Sequence, residues 1–276
     1  MKVAAIQMTS GLDVAANLAT ADRLLGEATR DGARFAVLPE NFAFMGRDDR
    51  ERVAIAEDEG RGPIQDFLAD AAARHGITLV GGTIPLRVAG EAARVAAASL
   101  VFGPDGRPVG RYDKIHLFDV DIPGAGDRYR ESAGIAPGAT PAVVDTALGP
   151  VGVTVCYDIR FPELYRLLAA RGAAVLVVSA AFTVPTGEAH WEVLLRARAI
   201  ENLAAVVAAA QWGEHANGRR TYGHSLVLDA WGRILAEKAS GEGHALAEID
   251  LARQAVLRTE FPALTHRVLG PTGETS

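Results

Sequence analysis

The chain has a single cysteine, Cys156. It ends the apolar run Val151-Gly152-Val153-Thr154-Val155 and precedes Tyr157-Asp158-Ile159-Arg160-Phe161-Pro162-Glu163-Leu164, which reads as a turn into a helix. That order places a thiol at the carboxyl end of a strand near a helix N-terminus, where free amides and the helix dipole favour a thiolate and a developing oxyanion. A lone cysteine is more often an inert buried hydrophobe, so its surroundings must decide. Two segments supply them. Arg34-Phe35-Ala36-Val37-Leu38-Pro39-Glu40-Asn41-Phe42 sets a carboxylate just after a buried strand, and Arg111-Tyr112-Asp113-Lys114-Ile115-His116-Leu117-Phe118 sets an amine between apolar neighbours. Either charge alone is more often a structural ion pair or a solvated residue. A nucleophile, a carboxylate base and a cation at element ends are together what covalent acyl transfer needs.

The elements that must position these groups can be read from apolar patterning. Runs at 3–8, 35–38, 77–83, 97–102, 151–156, 174–179, 204–210 and 225–228 read as strands, most without strict alternation, so both sheet faces are expected to be covered. Asp13 caps a predicted helix running to Arg30, and Pro63 opens one ending near Gly76. Further helices are expected at 162–171, 188–202 and 251–259. Gly103-Pro104-Asp105-Gly106 is a hairpin signal, and Asp229-Ala230-Trp231-Gly232 has the same form. Hairpins within a crossover-rich pattern predict an α/β fold with mixed sheets. The segment 119–138, rich in Gly and Pro, reads as a long functional loop.

Composition sets the class. The 276 residues carry 28 Lys+Arg against 34 Asp+Glu, a net charge of −6, and 49% are hydrophobic. Such a chain is globular, and with no Lys/Arg cluster in sequence it is an unsuitable partner for nucleic acid or an anionic membrane. One cysteine excludes an intrachain disulfide and a multi-cysteine metal site, and suits a reducing compartment. The apolar run after Met1 is too short for a signal-peptide core or a membrane span. A soluble cytoplasmic protein is expected, with one domain over residues 1–270 and a flexible tail at 271–276.

Leu38-Pro39-Glu40, Tyr112-Asp113-Lys114-Ile115-His116-Leu117 and Val155 to Leu164 resemble, in order, the three signature segments of the nitrilase superfamily, the carbon-nitrogen hydrolases. The resemblance covers residues 3–266. It implies an αββα sandwich of two mixed β-sheets flanked by helices, assembled as at least a homodimer, with no cofactor or metal. It also implies Glu40 as general base, Lys114 as oxyanion-stabilising cation, Cys156 as nucleophile and Glu131 as the carboxylate that orients the lysine. The Tyr157 backbone N–H would share the oxyanion. The segments Asp119 to Gly124, Ala189 to Asn202 and Tyr222 to Ser225 are similar to the branch that contains deaminated glutathione amidase and ω-amidase. The expected activity is therefore hydrolysis of an amide in a small carboxylate-bearing metabolite. Deaminated glutathione leads; α-ketoglutaramate, α-ketosuccinamate, a broader aliphatic amide, or a non-catalytic binding role are the rivals.

Substrate contacts are read from the same segments. Arg160 can bind a carboxylate bidentately or can tie the post-cysteine helix to Glu163 or another acid. Phe182, Thr183 and Thr186 match the branch's pocket-lining loop. Arg47 is the candidate for the far end of a longer acyl chain. His116, His190 and His224 lack metal-ligand spacing and are read as structural.

Overall fold

In the computed structural model, which describes residues 1–121, 128–216 and 218–269, alternating faces of short apolar strands are divided between two cores. The chain opens with β1 (Lys2–Gln7), β2 (Phe35–Val37), β3 (Thr78–Val80), β4 (Ile84–Val88), β5 (Glu91–Phe102) and β6 (Pro108–Asp113). A short antiparallel pair comes next, β7 (Asp119–Asp121) and β8 (Arg128–Arg130), and then β9 (Ile135–Ala136), which returns beside β5. The second sheet takes β10 (Ala142–Thr146), β11 (Gly149–Val155), β12 (Val175–Ala180) and β13 (Ala205–Ala210). A small pair, β14 (Trp212–Glu214) and β15 (Arg220–Tyr222), precedes β16 (Ser225–Leu228) and β17 (Ile234–Lys238). Last, β18 (Gly243–Glu248) crosses back to lie antiparallel to β1.

The first sheet runs β18-β1-β2-β3-β5-β4 with β6 and β9 attached to β5, and the second runs β10-β11-β12-β13-β16-β17. Both mix parallel and antiparallel pairs, as the hairpin signals predicted. Period-2 side chains explain the layering. Val3 and Ala5 of β1 and Phe35 and Val37 of β2 join Val151, Val153, Val175 and Val177 between the sheets. Ala4, Ile6 and Ala36 point the other way, into a core with α1 (Val14–Arg30) and α2 (Pro63–His75). On the opposite side α3 (Pro162–Ala170) and α4 (Val184–Asn202) cover the second sheet, and α5 (Leu251–Glu260) comes after β18. The result is the expected αββα sandwich.

The predicted boundaries shift where one residue type has two uses. Asp13 accepts from the Ala16 N–H at 3.1 Å and caps α1 as expected. The run 77–83 is broken at Gly81-Gly82, so it yields only β3; β4 follows it as a separate edge strand, where Pro85 is tolerated. α4 begins at Val184, four residues before the expected start. Gly187 lies inside its first turns because a Cβ there would stand 2.2 Å from the Tyr222 ring, so close packing, not helix breaking, explains the glycine. The tail 271–276, and residues 122–127 of the long Gly/Pro segment, lie outside the described residues. Among the described residues no helix is long and apolar enough to cross a membrane.

Candidate active site

Glu40, Lys114 and Cys156 sit on three loops at the same end of the sandwich. Each loop is held by backbone geometry that its own sequence dictates. Glu40 comes directly after β2; the Leu38 carbonyl accepts from Ser179 Oγ at 2.9 Å and the Glu40 carbonyl accepts from Gln211 Nε2 at 3.0 Å. The next residue, Asn41, is left-handed (φ 58°), and its N–H donates to Thr83 Oγ1 at 2.8 Å. Lys114 closes β6. Its N–H donates to the Ala97 carbonyl at 3.0 Å, and its carbonyl accepts from Gly138 at 2.8 Å. A Cβ on Gly138 would stand 2.2 Å from the Asp113 carbonyl oxygen, so only glycine allows that approach.

Cys156 lies at the end of β11 with φ 46°, a left-handed conformation rare for a side chain other than glycine. The segment after the cysteine makes the expected turn before the helix that opens at Pro162. Residues Cys156–Arg160 form a 3-10 turn and α3 starts at Pro162, so one short turn separates the sulfur from the α-helix N-terminus. Asp158 explains why the turn forms. Its fully buried carboxylate accepts from the Val155 N–H (2.9 Å), Tyr112 Oη (2.7 Å) and the His116 N–H (3.1 Å), and pairs with His116 Nδ1 at 2.7 Å. One side chain thus ties the cysteine turn to the segment bearing Lys114. His116 stacks on Phe161 at 3.7 Å, which accords with the structural role expected of it.

The charges converge on Lys114, a side chain with almost no exposure. Its Nζ donates to Glu40 Oε1 at 2.8 Å and to both Glu131 oxygens at 2.8 Å. Glu131 Oε2 also accepts from the Phe118 N–H at 2.7 Å, and Arg52 Nη1 lies 4.0 Å from Oε1. Burial alone would lower the Lys114 pKa, but Glu131, Glu40 and Cys156 outweigh it and hold the ammonium charged. Burial would likewise raise that of Glu131; Lys114 and Arg52 reverse this and keep it below the usual carboxylate range.

The Cys156 thiol feels the Glu40 carboxylate, the Lys114 ammonium and the Ala181 backbone N–H. Burial, and then the Glu40 charge, push its pKa well above an ordinary thiol's, and Lys114 offsets only part of this. The thiol is therefore the resting form, as a general base at Glu40 requires. A protonated sulfur beside a carboxylate is arranged for proton transfer during attack.

A pocket opens over these groups. Nine of the ten residues named from sequence line it: Glu40, Lys114, Glu131 and Cys156 with Tyr157, Arg160, Phe182, Thr183 and Thr186. Arg160 does not serve to hold its own helix to Glu163. Its guanidinium lies over the Tyr157 and Phe182 rings (5.7 and 5.4 Å) and 3.3 Å from His190 Nδ1. Arg47 is not part of this pocket; it is exposed and lines an adjoining cleft. Arg52, Phe118, Tyr129 and Arg219 also line the pocket, although sequence reasoning does not single them out. Phe118 lies in the lysine segment, where it could have been found, and the other three carry no local signal.

Comparison with known proteins places this geometry. The carbon-nitrogen hydrolase family model matches residues 2–259. Deaminated glutathione amidase of Synechocystis sp. is 44% identical over 96% of this chain and 97% of its own. The Homo sapiens enzyme of the same name is 40% identical over 96% of this chain and 81% of its own. Among solved structures, Saccharomyces cerevisiae Nit3, a member of the nitrilase superfamily, superposes with a TM-score of 0.85 at 32% identity, covering 95% of this chain and 94% of that one. The chain belongs to the carbon-nitrogen hydrolases of the nitrilase superfamily.

Proposed function

We propose that this protein is a cysteine-dependent amidase whose substrate is deaminated glutathione, cleaved at the γ-amide to give 2-oxoglutarate and cysteinylglycine. The observation that carries the proposal is the lysine held 2.8 Å from both Glu40 and Glu131 beside the Cys156 thiol. The relatives named for this substrate, matched over nearly the whole chain, support its identity.

In this reading Glu40 takes the thiol proton as Sγ attacks the amide carbon, and the oxyanion is held by the Lys114 ammonium and the Tyr157 N–H. Glu131 keeps the lysine charged and aimed. Glu40 returns the proton to the leaving amine, and a thioester remains on Cys156. Water, deprotonated by the same carboxylate, then hydrolyses the thioester and frees the thiol. Arg160, set between two aromatic faces, takes the carboxylate of the 2-oxo acid, with Phe182, Thr183 and Thr186 along the acyl chain. No cofactor enters this scheme. We further propose cytoplasmic residence and assembly as a homodimer.

The test is product formation from deaminated glutathione and, in parallel, from α-ketoglutaramate, with the native protein and Cys156→Ala. Cysteine-dependent release of cysteinylglycine is expected. Turnover of α-ketoglutaramate alone would make the protein an ω-amidase instead, and turnover of neither would remove both substrates.

A further inference from the structure

Beside the pocket lies a larger cleft whose described lining contains seven arginines and one carboxylate, Asp48. This concentration of positive charge is built into a chain of net charge −6. It is assembled from three separate segments, which is why no basic cluster is visible in the sequence. Arg47, Arg50 and Arg52 come from the segment after Glu40, Arg128 and Arg130 from β8, and Arg219 and Arg220 from the approach to β15. Arg128 and Arg130 are engaged with Asp121, at 3.1 and 2.9 Å, and Arg47 and Arg52 each lie 4.0 Å from a carboxylate, of Glu51 and Glu131. Arg50 and Arg220 are exposed. Val184 and Pro185, the first residues of α4, also line the cleft, so the positive end of that helix adds to the same field.

The cleft and the pocket are continuous. Arg52, Tyr129, Thr183 and Arg219 line both, and Arg219 lies over the Tyr129 ring at 5.1 Å. A substrate whose acyl half occupies the pocket must send its amine half somewhere, and this opening leads to guanidinium groups suited to a carboxylate.

We propose that the arginine cleft is the subsite for the leaving-amine half of the substrate, binding the terminal carboxylate of a short acidic peptide through Arg50 and Arg220. The inference rests on the deaminated glutathione reading, and names which end of that molecule the cleft takes. It also gives the enzyme a means of preferring a peptide amide to a primary amide, since ammonia leaves the cleft empty.

The experiment compares three amides: deaminated glutathione, the same compound with its glycine carboxylate converted to a carboxamide, and α-ketoglutaramate. The native protein is expected to cleave the carboxylate form with kcat/KM about tenfold above the carboxamide, the difference residing in KM. In Arg50→Ala/Arg220→Ala that preference should fall to about twofold or less, with α-ketoglutaramate turnover changed by less than about twofold. Equal cleavage of carboxylate and carboxamide forms by the native protein would overturn the subsite, whatever the variant does. Retention of the full preference by a folded double variant would remove these two arginines from it. Cleavage of α-ketoglutaramate with neither peptide amide touched would instead overturn the substrate reading and, with it, the occupant of the cleft.

Discussion

Lys114 serves two carboxylates at once, and that arrangement fixes what its removal does. With the ammonium gone, Glu40 and Glu131 would face each other across a site from which water is largely excluded. Breaking such a buried pair costs about 3–5 kcal/mol, and losing an oxyanion donor costs about 100- to 1000-fold in rate. Lys114→Ala is therefore expected to lower the denaturation midpoint and, in the fraction shown folded by circular dichroism, to reduce kcat by two to three orders of magnitude. Unchanged kcat would take the lysine out of the chemistry. The thiol gives a second expectation with a definite sign. Its folded pKa is raised by burial and by Glu40, so the folded state holds the proton while an unfolded thiol releases it above about pH 8.5. Stability from this source is complete below that value and is lost as pH rises, by up to about 1.4 kcal/mol per pH unit. Between pH 8.5 and 10, urea unfolding of the native protein should show this decline and Cys156→Ser should not; parallel declines would mean that the thiol is not shielded.

At the scale of elements, each reacting group depends on a loop whose geometry a glycine or a buried polar side chain enforces, and two glycines separate strain from contact. Gly76, at the C-cap of α2, has φ 59° and no atom within 4 Å of a Cβ built on it. Gly82 has φ 57°, but there a Cβ would fall 2.1 Å from the carbonyl oxygen of Pro39, next to Glu40. Gly76→Ala should cost about 1 kcal/mol, the left-handed penalty alone, and leave kcat unchanged. Gly82→Ala should cost more and also reduce kcat, because the loop bearing Glu40 must move to relieve the contact; equal effects in thermal melts and kinetics would refute this. Much of this scale is legible in the sequence. Strong periodicity and caps mark the helices, and Gly103 to Gly106 mark the β5–β6 hairpin. The strand β4, with Pro85 and Arg87, is not legible because its partner β5 rather than its own sequence decides it. The same distinction divides the site. Residues within local motifs are readable, but Arg52, Tyr129 and Arg219 come together only through tertiary folding.

For the whole molecule, the division of apolar surface bears on assembly. Most large hydrophobic side chains are shared between the inter-sheet core and the two helical cores, yet α4 leaves Val193 and Ile200 69% and 49% exposed. Trp231, on the β16–β17 turn, and Phe261, just beyond α5, are 48% and 50% exposed and meet edge to face at 5.5 Å. Ile200 adjoins the Trp231 turn, since Arg196 Nε donates to the Gly232 carbonyl at 3.0 Å and a Cβ on Gly232 would lie 2.6 Å from Ile200. Exposed apolar side chains grouped on one face mark a candidate protein–protein interface. It lies on the helix-covered side of the second sheet, and it supports the proposed homodimer, whose two-fold interface would use the same patch from each copy. Sedimentation velocity should then give a species of twice the 29.0 kDa chain mass. Ile200→Asp/Trp231→Asp should shift it to the monomer, because paired aspartates in a two-fold interface meet like charge and lose their solvation. A native protein that sediments as a monomer at micromolar concentration would refute the dimer outright. A dimer that survives both aspartates would place its interface elsewhere on the surface.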